Sequence, residues 1–107
     1  MPAEIDIYTL EDAQAAGTVA LIDVRQPDEY VGGHVPGALL VPLNDLPDRL
    51  GELPVERPLY VICRTGARSA AAVEFLTEMQ VHAINIAGGT KAWMEAGNDV
   101  VTGPDPT

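Results

Sequence analysis

A single cysteine, Cys63, rules out an internal disulfide in this chain of 107 residues. Histidine is nearly as scarce: His34 and His82 stand alone, with no CxxC or HxxxH spacing to hold a structural zinc ion, so neither a metal nor another cofactor is expected. Aromatic side chains amount to 5%, which leaves the core to be built from aliphatic layers. Positive charge is also in short supply, with six Lys and Arg against sixteen Asp and Glu and a net charge of -10. Binding to nucleic acid rests on neutralising phosphates with Lys and Arg, so nucleic acid and anionic membrane surfaces are poor partners for this chain. No apolar run approaches the ~20 residues that a membrane-crossing helix needs. The opening segment, Met1 to Leu10, has Glu4 and Asp6 where a secretory signal requires positive charge followed by a long apolar stretch. The chain reads as cytoplasmic, without internal repeats or low-complexity segments.

Apolar side chains make up 47% of the sequence, enough for one compact domain of this length and too little chain for two. We expect one domain over residues 1–107, with its core at about 5–97 and a loose tail at 98–107, where Gly103-Pro104-Asp105-Pro106-Thr107 favours no regular structure. Apolar runs and helical patterns take turns along the chain, separated by Gly and Pro. Ile5–Tyr8 predicts a first strand, and Thr9 to Asp12 the start of a helix that ends near Gly17. Val19–Val24 is nearly continuous in apolar residues, as expected for a strand buried on both faces. A helical turn at 27–30, a short strand at 38–41 and a helix presenting Leu43, Leu46 and Leu50 on one face follow. Leu59–Ile62 predicts another strand, residues 67–80 a helix burying Ala72, Phe75, Leu76 and Met79, Ala83–Ile86 a further strand, and 91–96 a last helix. Alternation of this kind predicts an α/β fold with a mostly parallel sheet between helices on both faces and right-handed crossovers.

Ligands of such sheets bind beyond the carboxyl ends of the strands, and Cys63 stands at one of these ends. The segment Cys63-Arg64-Thr65-Gly66-Ala67-Arg68-Ser69 joins strand to helix, and no Asp or Glu occurs between Arg57 and Val73. A lone cysteine after an apolar strand is in many proteins a small buried hydrophobe. Here the acid-free surroundings, two arginines, and a helix start whose N–H groups lack intrahelical partners favour a thiolate instead. Gly66 relaxes the turn so that the amides can point inward at an anion. Activation by a Cys–His pair is the rival route, with His34 and His82 both remote in sequence.

Ile22-Asp23-Val24-Arg25, Glu29-Tyr30, Gly33-His34-Val35-Pro36-Gly37-Ala38, Cys63 to Ser69 and Gly88-Gly89-Thr90-Lys91-Ala92-Trp93 resemble, in order and spacing, the successive signatures of the rhodanese sulfurtransferase family. The resemblance runs from about Ile5 to Gly97. It implies a three-layer fold with a central five-stranded, mostly parallel sheet, and a cysteine that carries sulfur as a persulfide. Cys63 is then the catalytic residue, and Arg64, Thr65, Gly66, Ala67, Arg68 and Ser69 form the anion-binding loop. Asp23, Arg25, Glu29 and His34 are read as structural support. Related phosphatases of the same architecture have a loop one residue longer between cysteine and arginine, and the shorter loop here favours a single terminal sulfur over phosphate or arsenate. A non-catalytic partner-binding module of this fold typically lacks the cysteine.

The expected chemistry is therefore transfer of sulfane sulfur from thiosulfate or a similar donor to cyanide or a thiol, with a sulfur-carrier protein as a candidate partner. Gln80 departs from the glycine usual after the long helix, and Leu40 replaces a common polar residue before the short strand. Trp93 is read as core, with an indole N–H that needs an acceptor.

Overall fold

The computed structural model describes residues 2–107 of the chain; Met1, the first residue of the segment read as one domain, lies outside them. Strands β1 (Glu4–Ile5), β2 (Ala20–Asp23), β3 (Leu39–Leu40), β4 (Leu59–Ile62) and β5 (Ala83–Ile86) form one sheet in the order β1-β5-β4-β2-β3. Every pairing in it is parallel. The central strand β4 and its neighbour β2 are matched Ile22 to Val61 and Asp23 to Ile62, so their carboxyl ends finish side by side.

Both faces of the sheet are covered. On one, Ala72, Val73 and Leu76 of helix α3 (Ala67–Glu78) join Leu46 and Leu53 against Ile22, Leu59 and Val61. On the other, Ile7 and Leu10 of α1 (Ile7–Ala16), Tyr30 of α2 (Pro27–Gly32) and Trp93 of α4 (Gly89–Glu95) pack over Leu21, Ile62 and Ile86. Strand β2 is buried at all four positions, consistent with its apolar run. At roughly 25 cal/mol per Å² removed from water, these two apolar layers, the second of them holding Tyr30 and Trp93, are the main favourable contribution to folding.

Several elements differ from the sequence expectation for identifiable reasons. The first strand stops at Ile5 because Asp6, in extended conformation, caps α1: its Oδ1 accepts the Thr9 N–H and hydroxyl, each at 2.9 Å. Ile7 and Tyr8 are thus the first turn of the helix and Thr9 its third residue. Residues Leu43–Glu52 form 3₁₀ turns broken at Arg49, not an α-helix, a form in which Pro47 is tolerated in mid-segment. Met79 is half exposed, since α3 ends one residue earlier and only Ala72, Val73 and Leu76 of its apolar side chains with Ser69 are buried. Gln80 takes φ 66°, the left-handed conformation costing a non-glycine residue roughly 1–2 kcal/mol.

The segment read as a loose tail is tied down. Val101 exchanges two backbone hydrogen bonds of 2.9 Å with His34, the Gly103 N–H reaches the Val31 carbonyl, and Pro106 accepts from Gly37. The end of α2 and the loop behind it, residues 31–37, leave backbone groups without sheet or helix partners, and the terminal residues satisfy them. Among the described residues no helix is long and apolar enough to cross a membrane.

Candidate active site

Cys63 follows β4 directly and is 1% exposed, whereas Arg64 and Thr65 beside it are exposed. Gly66 has φ 114° and serves as N-cap of α3, which turns the loop back so that its amides face the sulfur. The Gly66 N–H donates to Cys63 Sγ at 3.1 Å and the Ser69 hydroxyl at 3.2 Å. Burial pushes the thiol pKa up, but the Ser69 hydroxyl and the amides of Ser69, Gly66 and Thr65 together outweigh it, and the net shift is downward. No acid stands in the first turn of α3 to oppose this. Hydrogen-bond donors thus converge on the sulfur from the turn of the loop and from the first turn of α3.

The other side of the loop is fastened to α4. The Cys63 carbonyl accepts from the Thr90 N–H at 2.9 Å and the Thr90 hydroxyl at 3.0 Å, and the Arg64 carbonyl accepts from the Lys91 N–H at 3.0 Å. This contact is possible because residue 89 is glycine: a Cβ there would stand 2.5 Å from the Arg64 oxygen and 2.6 Å from the Cys63 oxygen. Gly89→Ala is expected to push α4 off the loop, lowering the melting temperature and, by at least tenfold, the alkylation rate of Cys63 at neutral pH. A variant with wild-type alkylation would show that the loop stands without α4. Asn85, on β5, donates from Nδ2 to the Gly66 carbonyl at 3.3 Å. Gly89 and Thr90 belong to the Gly88–Trp93 signature, which by itself gives them no part at the loop, and Asn85 stands outside the signatures, although a polar residue within the buried run Ala-Ile-Asn-Ile must find a partner.

Arg68 spans to Glu29 on α2, with Nη1 and Nη2 donating to the two carboxylate oxygens at 2.7 and 2.8 Å. Hydrogen bonding from Arg68 holds the Glu29 carboxyl down at about 2, against the opposing effect of burial and with help from the Gln26 N–H. A carboxyl with a folded pKa below its unfolded one stabilises the fold above the unfolded value, and that contribution is lost as pH falls through the folded pKa. Glu29→Gln should therefore be less stable than wild type by up to about 1 kcal/mol above pH ~5, with the gap closing as pH approaches 2. A gap independent of pH would refute the ion pair.

Asp23 and Arg25 form a buried pair at the end of β2, 0% and 5% exposed. Asp23 Oδ1 accepts from the Arg25 N–H and Nε at 3.0 Å each, and Oδ2 from Nη2 at 2.8 Å. Nη2 also reaches the Gly33 carbonyl, tying β2 to the loop after α2. His34 is fully buried and stacked on Tyr30 with ring centroids 3.6 Å apart. Its ring nitrogens lie 2.8 Å from the carbonyls of Tyr30 and Asp105, so it braces the loop and the terminal segment and is not a base for Cys63. His82 immediately precedes β5, at the opposite end of the sheet from Cys63. Of the residues expected to cluster, Cys63, Gly66 and Ser69 meet at the sulfur, with Thr65 contributing its amide; Ala67 is exposed. Trp93 donates to the Asp99 carbonyl at 2.9 Å.

Residues 6–96 match the family model described as a rhodanese-like domain. The chain belongs to the rhodanese-like family. It is 36% identical over 103 residues to a protein named sulfurtransferase from Allochromatium vinosum, a match covering 94% of this chain and 96% of that one. It is 29% identical to a thiosulfate sulfurtransferase from Shewanella oneidensis, covering 86% and 92%. The crystal structure of a rhodanese-related protein from Thermoplasma volcanium superposes with a TM-score of 0.86 at 32% identity, covering 94% of this chain and 99% of that one. The five-stranded parallel sheet is thus the rhodanese-like sheet, and the Cys63 loop lies within the matched residues.

Proposed function

We propose that the protein moves sulfane sulfur from thiosulfate or a similar donor to cyanide or a thiol through a persulfide on Cys63. The observation that carries this reading is the set of donors converging on Cys63 Sγ, the Gly66 amide at 3.1 Å and the Ser69 hydroxyl at 3.2 Å, with a lowered thiol pKa. The Cys63 thiolate attacks the outer sulfur of the donor, the bond within the donor breaks, and sulfite leaves with the electron pair. The loop amides then stabilise the terminal sulfur until an acceptor removes it. With Arg68 bound by both nitrogens to Glu29, Arg64 is the freer cation for the donor's sulfonate, and Thr65, the next residue, is exposed as well. Arg68 instead sets where the loop sits.

Purified protein incubated with thiosulfate should gain the mass of one sulfur atom at Cys63, and cyanide should remove it. Protein that stays unmodified with several sulfane donors while hydrolysing an aryl phosphate would place the loop among phosphatases. Inertness in both assays, with a native Cys63 that resists alkylation, would make the chain a binding module.

A further inference from the structure

Asn85 is paired with Val61 of β4 and so shares a face of the sheet with Cys63, two residues beyond Val61. It is 2% exposed, and its amide is only half satisfied. Nδ2 donates to the Gly66 carbonyl at 3.3 Å and faces Glu4 Oε2 at 3.5 Å, while Oδ1 has no partner among the described residues. Turning the amide over gives no relief, because Oδ1 then meets the Gly66 carbonyl and the Glu4 carboxylate, both acceptors. A buried acceptor left unpaired costs stability, and a leucine of the same branched shape avoids that cost. Folding of β5 alone does not account for the residue.

The hold on Gly66 does. The carbonyls of Cys63, Arg64 and Gly66 are each taken by a donor from outside the loop, namely Thr90, Lys91 and Asn85. In a planar trans peptide the N–H points opposite to the C=O, so holding a carbonyl aims the amide of the residue that follows. The Gly66 carbonyl also accepts from the Ala70 N–H within α3 at 3.1 Å, and the Ala67 N–H therefore points back over the loop. Among the described residues that N–H has no hydrogen-bond partner. Gly66, at φ 114°, has no side chain to fix the plane by packing, which leaves the task to Asn85.

Resting on the sulfur-transfer reading, we infer that Asn85 is a positioning residue for the loaded state: through the Gly66 carbonyl it aims the Ala67 amide at the outer sulfur of the Cys63 persulfide. The resting sulfur has the Gly66 N–H and the Ser69 hydroxyl, neither of which belongs to the peptide plane that Asn85 holds. In loading, the Cys63 thiolate attacks the outer sulfur of thiosulfate, the sulfur–sulfur bond of thiosulfate breaks, a bond from Sγ to that sulfur forms, and sulfite leaves with the electron pair. The negative charge moves from Sγ to the outer sulfur, and the Ala67 N–H meets it there.

The test holds wild type, Asn85→Leu and Asn85→Ala at a fixed ratio of thiosulfate to sulfite until exchange is complete, and reads sulfur-loaded against free protein by intact mass. The pH profile of Cys63 alkylation by a neutral reagent is measured on the unloaded proteins. In both variants the loaded-to-free ratio should fall about fivefold, the size of one modest hydrogen bond, while the alkylation profile stays within about twofold of wild type. Leucine keeps the space filled and alanine leaves a gap, so equal falls assign the effect to the lost Nδ2 donor. A fall in Asn85→Ala alone makes the residue packing and overturns the assignment. Loading and alkylation that fall together in both variants overturn it too, since Asn85 then supports the whole loop and not the loaded state. An unchanged ratio in both variants refutes the positioning role and leaves the sulfur-transfer reading standing. Wild type that takes up no sulfur refutes that reading, and the role of Asn85 falls with it.

Discussion

Cys63→Ser is expected to abolish sulfur transfer, by more than about a thousandfold in turnover, and to leave protein that gains no sulfur mass from thiosulfate. A serine hydroxyl stays protonated at neutral pH, and oxygen cannot hold the transferred sulfur in an exchangeable bond as a thiolate does. The fold should survive. The Gly66 N–H and the Ser69 hydroxyl, now donating to Cys63 Sγ, can donate to an oxygen in the same place, and a buried hydroxyl so satisfied costs little. Near-normal melting together with lost transfer would isolate the chemistry at Sγ. Persisting turnover in the variant would mean that sulfur is carried elsewhere.

The local charge pattern explains how an acidic protein can handle anionic donors. At physiological ionic strength exposed charges are screened beyond about 8 Å, so the sixteen acids act weakly on the loop unless they stand near it. Two that do are engaged by arginines: Asp23 by Arg25, and Glu29 by Arg68. What an approaching anion meets is Arg64, the amides of the loop and the start of α3, without an acid in its first turn. The chain's net charge therefore says little about the field at Cys63.

Much of this was legible in the sequence because it rests on local chemistry. The apolar runs of β2 and β4 give parallel buried strands, and the acid-free stretch from Cys63 to Ser69 gives the loop. Asp23 and Arg25 are legible as support because an acid and an arginine two residues apart at a strand end lie on one side of the pleat. What could not be read depends on distant partners. Glu29 and Arg68 are separated by 39 positions, and nothing local says that Arg68 turns to α2 instead of toward the substrate. The terminal segment looked loose because Gly and Pro report weak intrinsic preference, whereas its order comes from the unsatisfied backbone of residues 31–37. The role of Gly89 needed the approach of α4 to the Cys63 and Arg64 carbonyls, which no spacing encodes.

Asp23→Asn should be the most destabilising conservative change in the molecule. The substitution keeps the volume but removes the charge opposite a guanidinium that is 5% exposed, and it turns an amide N–H₂ toward Arg25 donors that now find oxygens at 2.8–3.1 Å. Breaking one side of a buried ion pair costs about 3–5 kcal/mol, because the remaining charge keeps its desolvation penalty without compensation. For a domain of this size that corresponds to a fall in melting temperature of roughly 12 °C or more. The carboxyl end of β2 is in register with that of β4 through Asp23 and Ile62, and Arg25 ties the same end to Gly33. Sulfur transfer should therefore suffer well below the melting point as the loop loses its neighbour. Arg25→Gln in the Asp23→Asn background should add much less than it costs alone, since the orphaned charge is then gone. Additive losses in that double-mutant cycle, or a change of less than about 1 kcal/mol for Asp23→Asn, would show that backbone pairing and not the ion pair sets the end of β2.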